Sequence, residues 1–186
     1  YGVLYHEISH RWPMEALKVQ AIAARTYALY QISKSKDKPY DLTSDIYSQV
    51  YGGSASERWS TVRAVDQTKG MVLAYKGALF PAYFHATCAG STENASNLWK
   101  INIPPLKGGV FCPYCRKSPH YIWRWEAPLV DVEKKLKLAG YKTGSIVSVE
   151  AVGRNSSGRV EKLEFTDYSG ARLMIPAKDF RLAMGA

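Results

Sequence analysis

The sequence predicts an α+β fold: a single domain in which a buried, alanine-rich helix packs on a mainly antiparallel sheet. Three observations predict it. Residues 14–32 carry apolar side chains almost all the way round a helical wheel, leaving a narrow polar strip at Lys18 and Arg25. Residues 145–176 hold three runs, SIVSVEAVG, GRVEKLEFTD and ARLMIP, that read as a strand meander with turns at 155–158 and 169–170. The chain's 186 residues, 46% hydrophobic, suffice for a real core and suit one domain over 1–186, with room for a subdomain.

Taken in order, the first helix starts near Pro13, whose preset φ and missing amide suit a first turn, and Glu15 suits the positive end of its dipole. Leu17, Ala21, Ala24 and Ala28 fall on one line, and the alanines let neighbouring backbones approach closely, so cover is expected on nearly every side. A polar loop, SKSKDKPYD, follows. Leu42 to Tyr51 reads as an extended segment with Gln49 and Tyr51 on one face, ending at Gly52-Gly53. Ser56 to Lys69 reads as a second helix stopped by Gly70. Met71–Tyr75 and Leu79–Thr87 form a hairpin pattern about Lys76-Gly77. Further on, YIWRWEAPL is extended, VDVEKKLKLAG is a short amphipathic helix ended by Gly140, and Ala177–Met184 is a closing helix.

The balance of 25 Lys and Arg against 16 Asp and Glu, net +9, points to an anionic partner. No Lys/Arg run exceeds two residues and the aromatics are dispersed, so nucleic acid is not expected. No apolar run approaches the roughly twenty residues of a membrane-spanning helix. The opening at Tyr1, without an initiator Met, leads us to expect that an N-terminal part of the natural protein precedes it.

Glu7 lies just ahead of the apolar helix, in a segment shared with Leu4, Tyr5 and Trp12 rather than with other carboxylates. A carboxyl withdrawn from water stays protonated to higher pH, and a protonated Glu is a general acid. The plainer reading is a helix-capping or salt-bridging acid. Likewise Gln49 and Tyr51 could be the polar edge of a half-buried strand. Cys88 to Ser96 is a small-residue loop at a strand end, where amides and hydroxyls could meet a sugar or could satisfy their own turn.

Glu7, Pro13 and EALKVQAIAARTYAL (15–29), then DLTSDIYSQVYGG (41–53) and AYFHATCAGSTEN (82–94), resemble the signature blocks of the SpoIID/LytB family of bacterial cell-wall proteins. The resemblance covers most of residues 1–110 and thins beyond Gly109. It implies a lytic transglycosylase that cleaves the MurNAc–GlcNAc β-1,4 bond of peptidoglycan, with Glu7 as the catalytic acid and base. Arg25, Gln49, Tyr51, His85, Ser91, Thr92 and Asn94 are its candidates for gripping the glycan. It also implies an extracytoplasmic location, and LytB-type relatives supply a second reading, a non-catalytic enhancer of a cell-wall amidase. Either way the partner is peptidoglycan, and the basic surface would favour the lactyl carboxylates of peptide-stripped strands.

Cys112-Pro-Tyr-Cys115 has the C-x-x-C spacing that holds zinc, and Cys88 makes a third thiol. His120 or His85 would complete a Cys3His set. His120 is favoured, because in the resembling family the His85 block keeps its His where no cysteines accompany it. Four protein ligands would make the metal structural. A 112–115 disulfide with Cys88 free, or three buried thiols, are the alternatives. The family position of Cys88 is usually Ser, so this pinned loop would be a local addition.

Overall fold

A computed structural model describes residues 1–45 and 48–185. Helices and antiparallel strands make it α+β, as the sequence predicts, and the described residues gather into two compact units, one up to His85 and one from Ala86 onward.

The first unit is built on α2 (Met14–Lys34), which begins directly after Pro13. A one-turn helix, α1 (Leu4–Glu7), precedes it and α3 (Trp59–Gln67) packs against it. Leu4, Leu17, Ala21 and Ala64 form the core, with Ile8, Met14 and Val65 at its margin. The small Ala21 and Ala64 side chains sit where α2 and α3 come together, which is what the alanine line of α2 provides. Cover reaches that line and not the whole helix: Val19 is 67% exposed, so α2 is buried along one side rather than on nearly every side.

The start of α3 is set by Arg58 and Thr61, whose hydroxyl accepts from the Arg58 amide (3.2 Å) and donates to its carbonyl (2.9 Å). After it comes the hairpin of β1 (Ala74–Tyr75) and β2 (Ala78–Leu79), turned by Lys76 and Gly77, both at positive φ (50° and 76°) as a two-residue primed turn requires. The strand expected to run from Leu79 to Thr87 stops at Leu79. Pro81, fully buried two residues later, cannot donate to a ladder. The extended segment expected over 42–51 includes Ile46 and Tyr47, which lie outside the described residues; no named strand falls on the remainder.

The second unit carries the meander: β3 (Ile146–Arg154), β4 (Val160–Asp167) and β5 (Arg172–Pro176), antiparallel in the order β3-β4-β5. Phe165 pairs with Val149 on one side and Leu173 on the other. Alternation sends Phe165 and Ile175 inward against Val132 and Leu136 of α4 (Leu129–Leu138), with Met184 after α5 (Ala177–Ala183) closing the core. All these elements fall where the sequence puts them. The long stretch 86–128 has short 3-10 turns and an isolated bridge, and scattered backbone bonds such as Thr92 to Val110 and Cys112 to Gly90 hold it together with its side chains.

Candidate functional site

Glu7 ends α1, one turn of helix whose inward residue, Leu4, is locked into the α2–α3 core. The carboxyl is half-buried, and this burial pushes its pKa above the usual carboxylate value, while the neighbouring His6 charge pulls the other way. Among the described residues no hydrogen bond or ion pair holds it. Around it the framework is stiff. His6 Nε2 meets Ser56 Oγ at 2.9 Å, and a side chain at Gly52 would collide with both groups. Tyr5 stacks on His10 (5.6 Å between centroids, 29° between planes) and lies under the Arg58 guanidinium, 4.5 Å away. Ser60 Oγ donates to the His10 carbonyl at 2.7 Å. This is an acid raised by desolvation, held in no ion pair among the described residues and fixed to a packed core, the arrangement a general acid needs.

The other candidates in this unit divide sharply. Arg25 donates to the carbonyls of Thr68 (2.7 Å), Met71 (2.9 Å) and Val65 (3.3 Å), so its guanidinium fills the unsatisfied end of α3. Gln49 is buried and donates to the Ala24 carbonyl of α2 at 2.9 Å, tying the 48–53 segment to that helix. Tyr51 is 60% exposed, with Gly2 so close to its ring that a Cβ there would lie 2.8 Å from it. His85 is exposed.

In the second unit, Ser91, Thr92 and Asn94 share one loop, half-buried. Thr92 is bonded on three sides: its amide donates to Val110 O (3.0 Å), its carbonyl accepts from Gly109 (2.9 Å) and its hydroxyl accepts from the Val110 amide (3.0 Å). The Asn94 carbonyl oxygen accepts from the Ser96 amide (3.0 Å) and hydroxyl (2.9 Å), capping a short 3-10 turn, 95–97. The residue that sets this loop is Glu93, which lies in the 82–94 block but is absent from the glycan contacts expected there. Its carboxylate accepts from Ser157 Oγ (2.7 Å), Asn97 Nδ2 (2.8 Å), Asn155 Nδ2 (3.0 Å) and the Asn94 amide (2.8 Å). Burial alone would raise the Glu93 pKa, but these donors together hold it below the ordinary range. Arg159 completes the lock by donating to the carbonyls of Cys88 (2.8 Å) and Ser91 (3.1 Å).

Cys88, Cys112 and Cys115 come together, their sulfurs within 4.8 Å of one another and the thiols free. The Cys88 and Cys115 sulfurs are 3.5 Å apart. Zinc–sulfur bonds of about 2.3 Å at tetrahedral angles place two thiolates roughly 3.8 Å apart, so the donor set and spacing suit a soft divalent metal. Burial pushes the Cys88 thiol up, while the Tyr114 amide beside Cys112 pulls that thiol down. His120 stands outside the group, in a turn where its amide donates to Ser118 Oγ at 3.2 Å, and no His or carboxylate joins the three sulfurs among the described residues.

Comparison with known proteins follows these blocks. The family model described as "SpoIID: Stage II sporulation protein" matches residues 1–75, and the stage II sporulation protein D of Bacillus subtilis is 36% identical over 82% of this chain and 49% of its own length. The chain belongs to the SpoIID family. An uncharacterised protein of Brachyspira hyodysenteriae is 44% identical over 84% of this chain and 40% of its own length. The amidase enhancer of B. subtilis is 41% identical over 56% of this chain and 14% of its own length. The chain thus spans less than half of each of these curated relatives. The span of the family model holds Glu7, Arg25, Gln49 and Tyr51, while Glu93, Cys112 and Cys115 follow that span.

Proposed function

We propose that this SpoIID chain acts on the bacterial cell wall as a lytic transglycosylase of peptidoglycan glycan strands, residues 1–186 serving as one domain. The observation that carries the reading is Glu7: a half-buried carboxyl with a raised pKa and no partner among the described residues, fixed to the core of the family-matched unit. Protonated, it gives its proton to the glycosidic oxygen between MurNAc and GlcNAc. As carboxylate, it then takes the proton of the MurNAc C6 hydroxyl, which attacks C1 and closes the 1,6-anhydro ring. The internal hydroxyl replaces water, so no second carboxylate is required to activate a nucleophile.

In this reading Tyr51, His85, Ser91, Thr92 and Asn94 grip the glycan. Arg25 and Gln49 serve it at one remove, since their donors are turned onto the backbone of α3 and α2. Cys88, Cys112 and Cys115 would hold a zinc ion whose contribution is structural, cross-linking the 112–115 turn to the start of the 88–97 loop. His120 is the fourth ligand proposed, which requires its turn to close on the sulfurs. The site of action is extracytoplasmic, where peptidoglycan lies.

The experiment is mass spectrometry of peptide-stripped glycan strands after incubation with the protein. Anhydro ends support the proposal; ordinary reducing ends would make it a hydrolase. A second reading rests on the relative named amidase enhancer: binding without cleavage, with a cell-wall amidase as partner. Intact strands together with a faster amidase reaction would establish that one instead.

A further inference from the structure

The stretch 110–123 leaves its largest apolar side chains in water: Phe111 is 70% exposed, Tyr114 89%, Ile122 83% and Trp123 77%. Rings on a loose loop would explain themselves. This loop is not loose. Phe111 bridges Ser91, the Cys112 amide donates to the Gly90 carbonyl (2.9 Å), and Thr87 Oγ1 meets Ser118 Oγ (3.1 Å). The Tyr121 hydroxyl lies so close over Gly90 that a Cβ there would come within 3.2 Å of it. The three cysteines add a further clasp between the same two segments. The loop is thus fastened along the 87–92 segment at five places and presents its rings outward from a fixed backbone. The side chains of Arg116 and Lys117, on the same loop, make no ion pair or hydrogen bond among the described residues.

Rigid exposed rings interleaved with unpaired cations, beside hydroxyl-bearing residues, are what a polymer of stackable units carrying regular negative charge requires. A peptide-stripped glycan has both parts: the C–H faces of its sugars lie flat on aromatic rings, and the lactyl carboxylate of each MurNAc meets a cation. We infer that the 110–123 loop is an accessory glycan subsite, with Tyr114 and Trp123 as stacking platforms and Arg116 and Lys117 as carboxylate partners, continuing the strand path from Ser91 and Thr92. The inference rests on the proposed substrate but not on the proposed chemistry. An anionic lipid surface is the other chemistry that aromatics and cations together can meet. The glycan is favoured because two cations, Arg116 and Lys117, fall short of the cluster of about four to eight that recognition of an anionic lipid surface uses, whereas single carboxylates spaced along a strand need no more.

The test is fluorescence titration of the chain carrying Glu7→Gln, which leaves the polymer intact, with soluble peptide-stripped strands. The same titration is run for Tyr114→Ala/Trp123→Ala and for Arg116→Ala/Lys117→Ala in that background, and thermal midpoints verify that these surface changes leave the fold whole. Each pair is expected to weaken binding about tenfold, equivalent to about 1.4 kcal/mol. Methyl-esterified strands should bind the parent as weakly as native strands bind the Arg116/Lys117 variant. Unchanged affinity in both variants, or no binding by the parent, overturns the inference. So does loss of binding to vesicles of phosphatidylglycerol and phosphatidylethanolamine while glycan affinity stays intact. Anhydro ends made by the wild type, with loop variants binding like the parent, sink this subsite and leave the enzyme reading standing. Loop-dependent binding with no cleavage does the reverse.

Discussion

Glu7 is costly where it stands, and that cost gives a readout independent of activity. Because burial raises its folded pKa, the native state binds more protons than the unfolded chain between the ordinary carboxylate value and the raised one. Stability therefore falls as pH rises through that window and stays lower above it. Glu7→Gln removes the charge, so its thermal midpoint should exceed the wild type's near neutral pH, with the gain vanishing in acid where both side chains are neutral. Equal midpoints at all pH values would mean that Glu7 is as well solvated as any surface acid. Arg25 makes the opposite kind of prediction. With its guanidinium spread over the carbonyls of Val65, Thr68 and Met71, Arg25→Ala should cost about 1–3 kcal/mol of stability. Arg25→Lys should recover only part, since an ammonium cannot fork across three acceptors. Chemical denaturation measures both, and an undiminished stability in Arg25→Ala would return this residue to the glycan.

At the level of elements, the 88–97 loop is held by a carboxylate 62 residues before one of its partners, Asn155, in the β3–β4 turn. Both Glu93 oxygens accept: Oε1 from Asn94 and Asn97, Oε2 from Asn155 and Ser157. Glu93→Gln must therefore turn an amide NH2 toward donors on one side, and we expect a loss of about 1–3 kcal/mol near neutral pH. The depressed pKa fixes the sign of the pH dependence: the contribution is fully present above the unfolded value and is lost as pH falls through the folded one. Wild type and Glu93→Gln should thus converge in acid, and curves that run parallel would contradict the lock. The cysteine clasp is tested by metal analysis of the purified protein and by chelation. If zinc is held as proposed, chelation should lower the thermal midpoint first, with activity falling in step. Full folding with all turnover gone would move the metal into the reaction, and a metal-free protein with a 112–115 disulfide would remove it altogether.

Over the whole molecule, periodic segments were the legible ones. The helix from Pro13, the meander with turns at 155–158 and 169–170, and the two later helices all follow from local pattern, because a period repeated over several turns records which face is buried. Leu79–Thr87 alternates like a strand, yet β2 ends after two residues, for a buried proline outweighs pattern. The site was legible to the same degree. Glu7 stood out by its company. What a sequence does not carry is where a long polar side chain spends its donors: Arg25 and Gln49 sit in family blocks but face backbone, whereas Glu93 gathers partners from the far end of the chain. The clustering of Cys88 with the C-x-x-C pair could be read from chemistry alone, and its distance from His120 could not.

Whether Glu7 turns a glycan strand into anhydro-ended fragments is decided by mass spectra of peptide-stripped strands treated with wild type and with Glu7→Gln at equal concentration. Wild type should release 1,6-anhydroMurNAc ends, and the variant, folded and still binding, should release them at least about 10²-fold more slowly, as expected when a general acid is removed. Anhydro ends produced equally by both proteins would contradict the account, as would a folded wild type that binds the strands and leaves every bond intact.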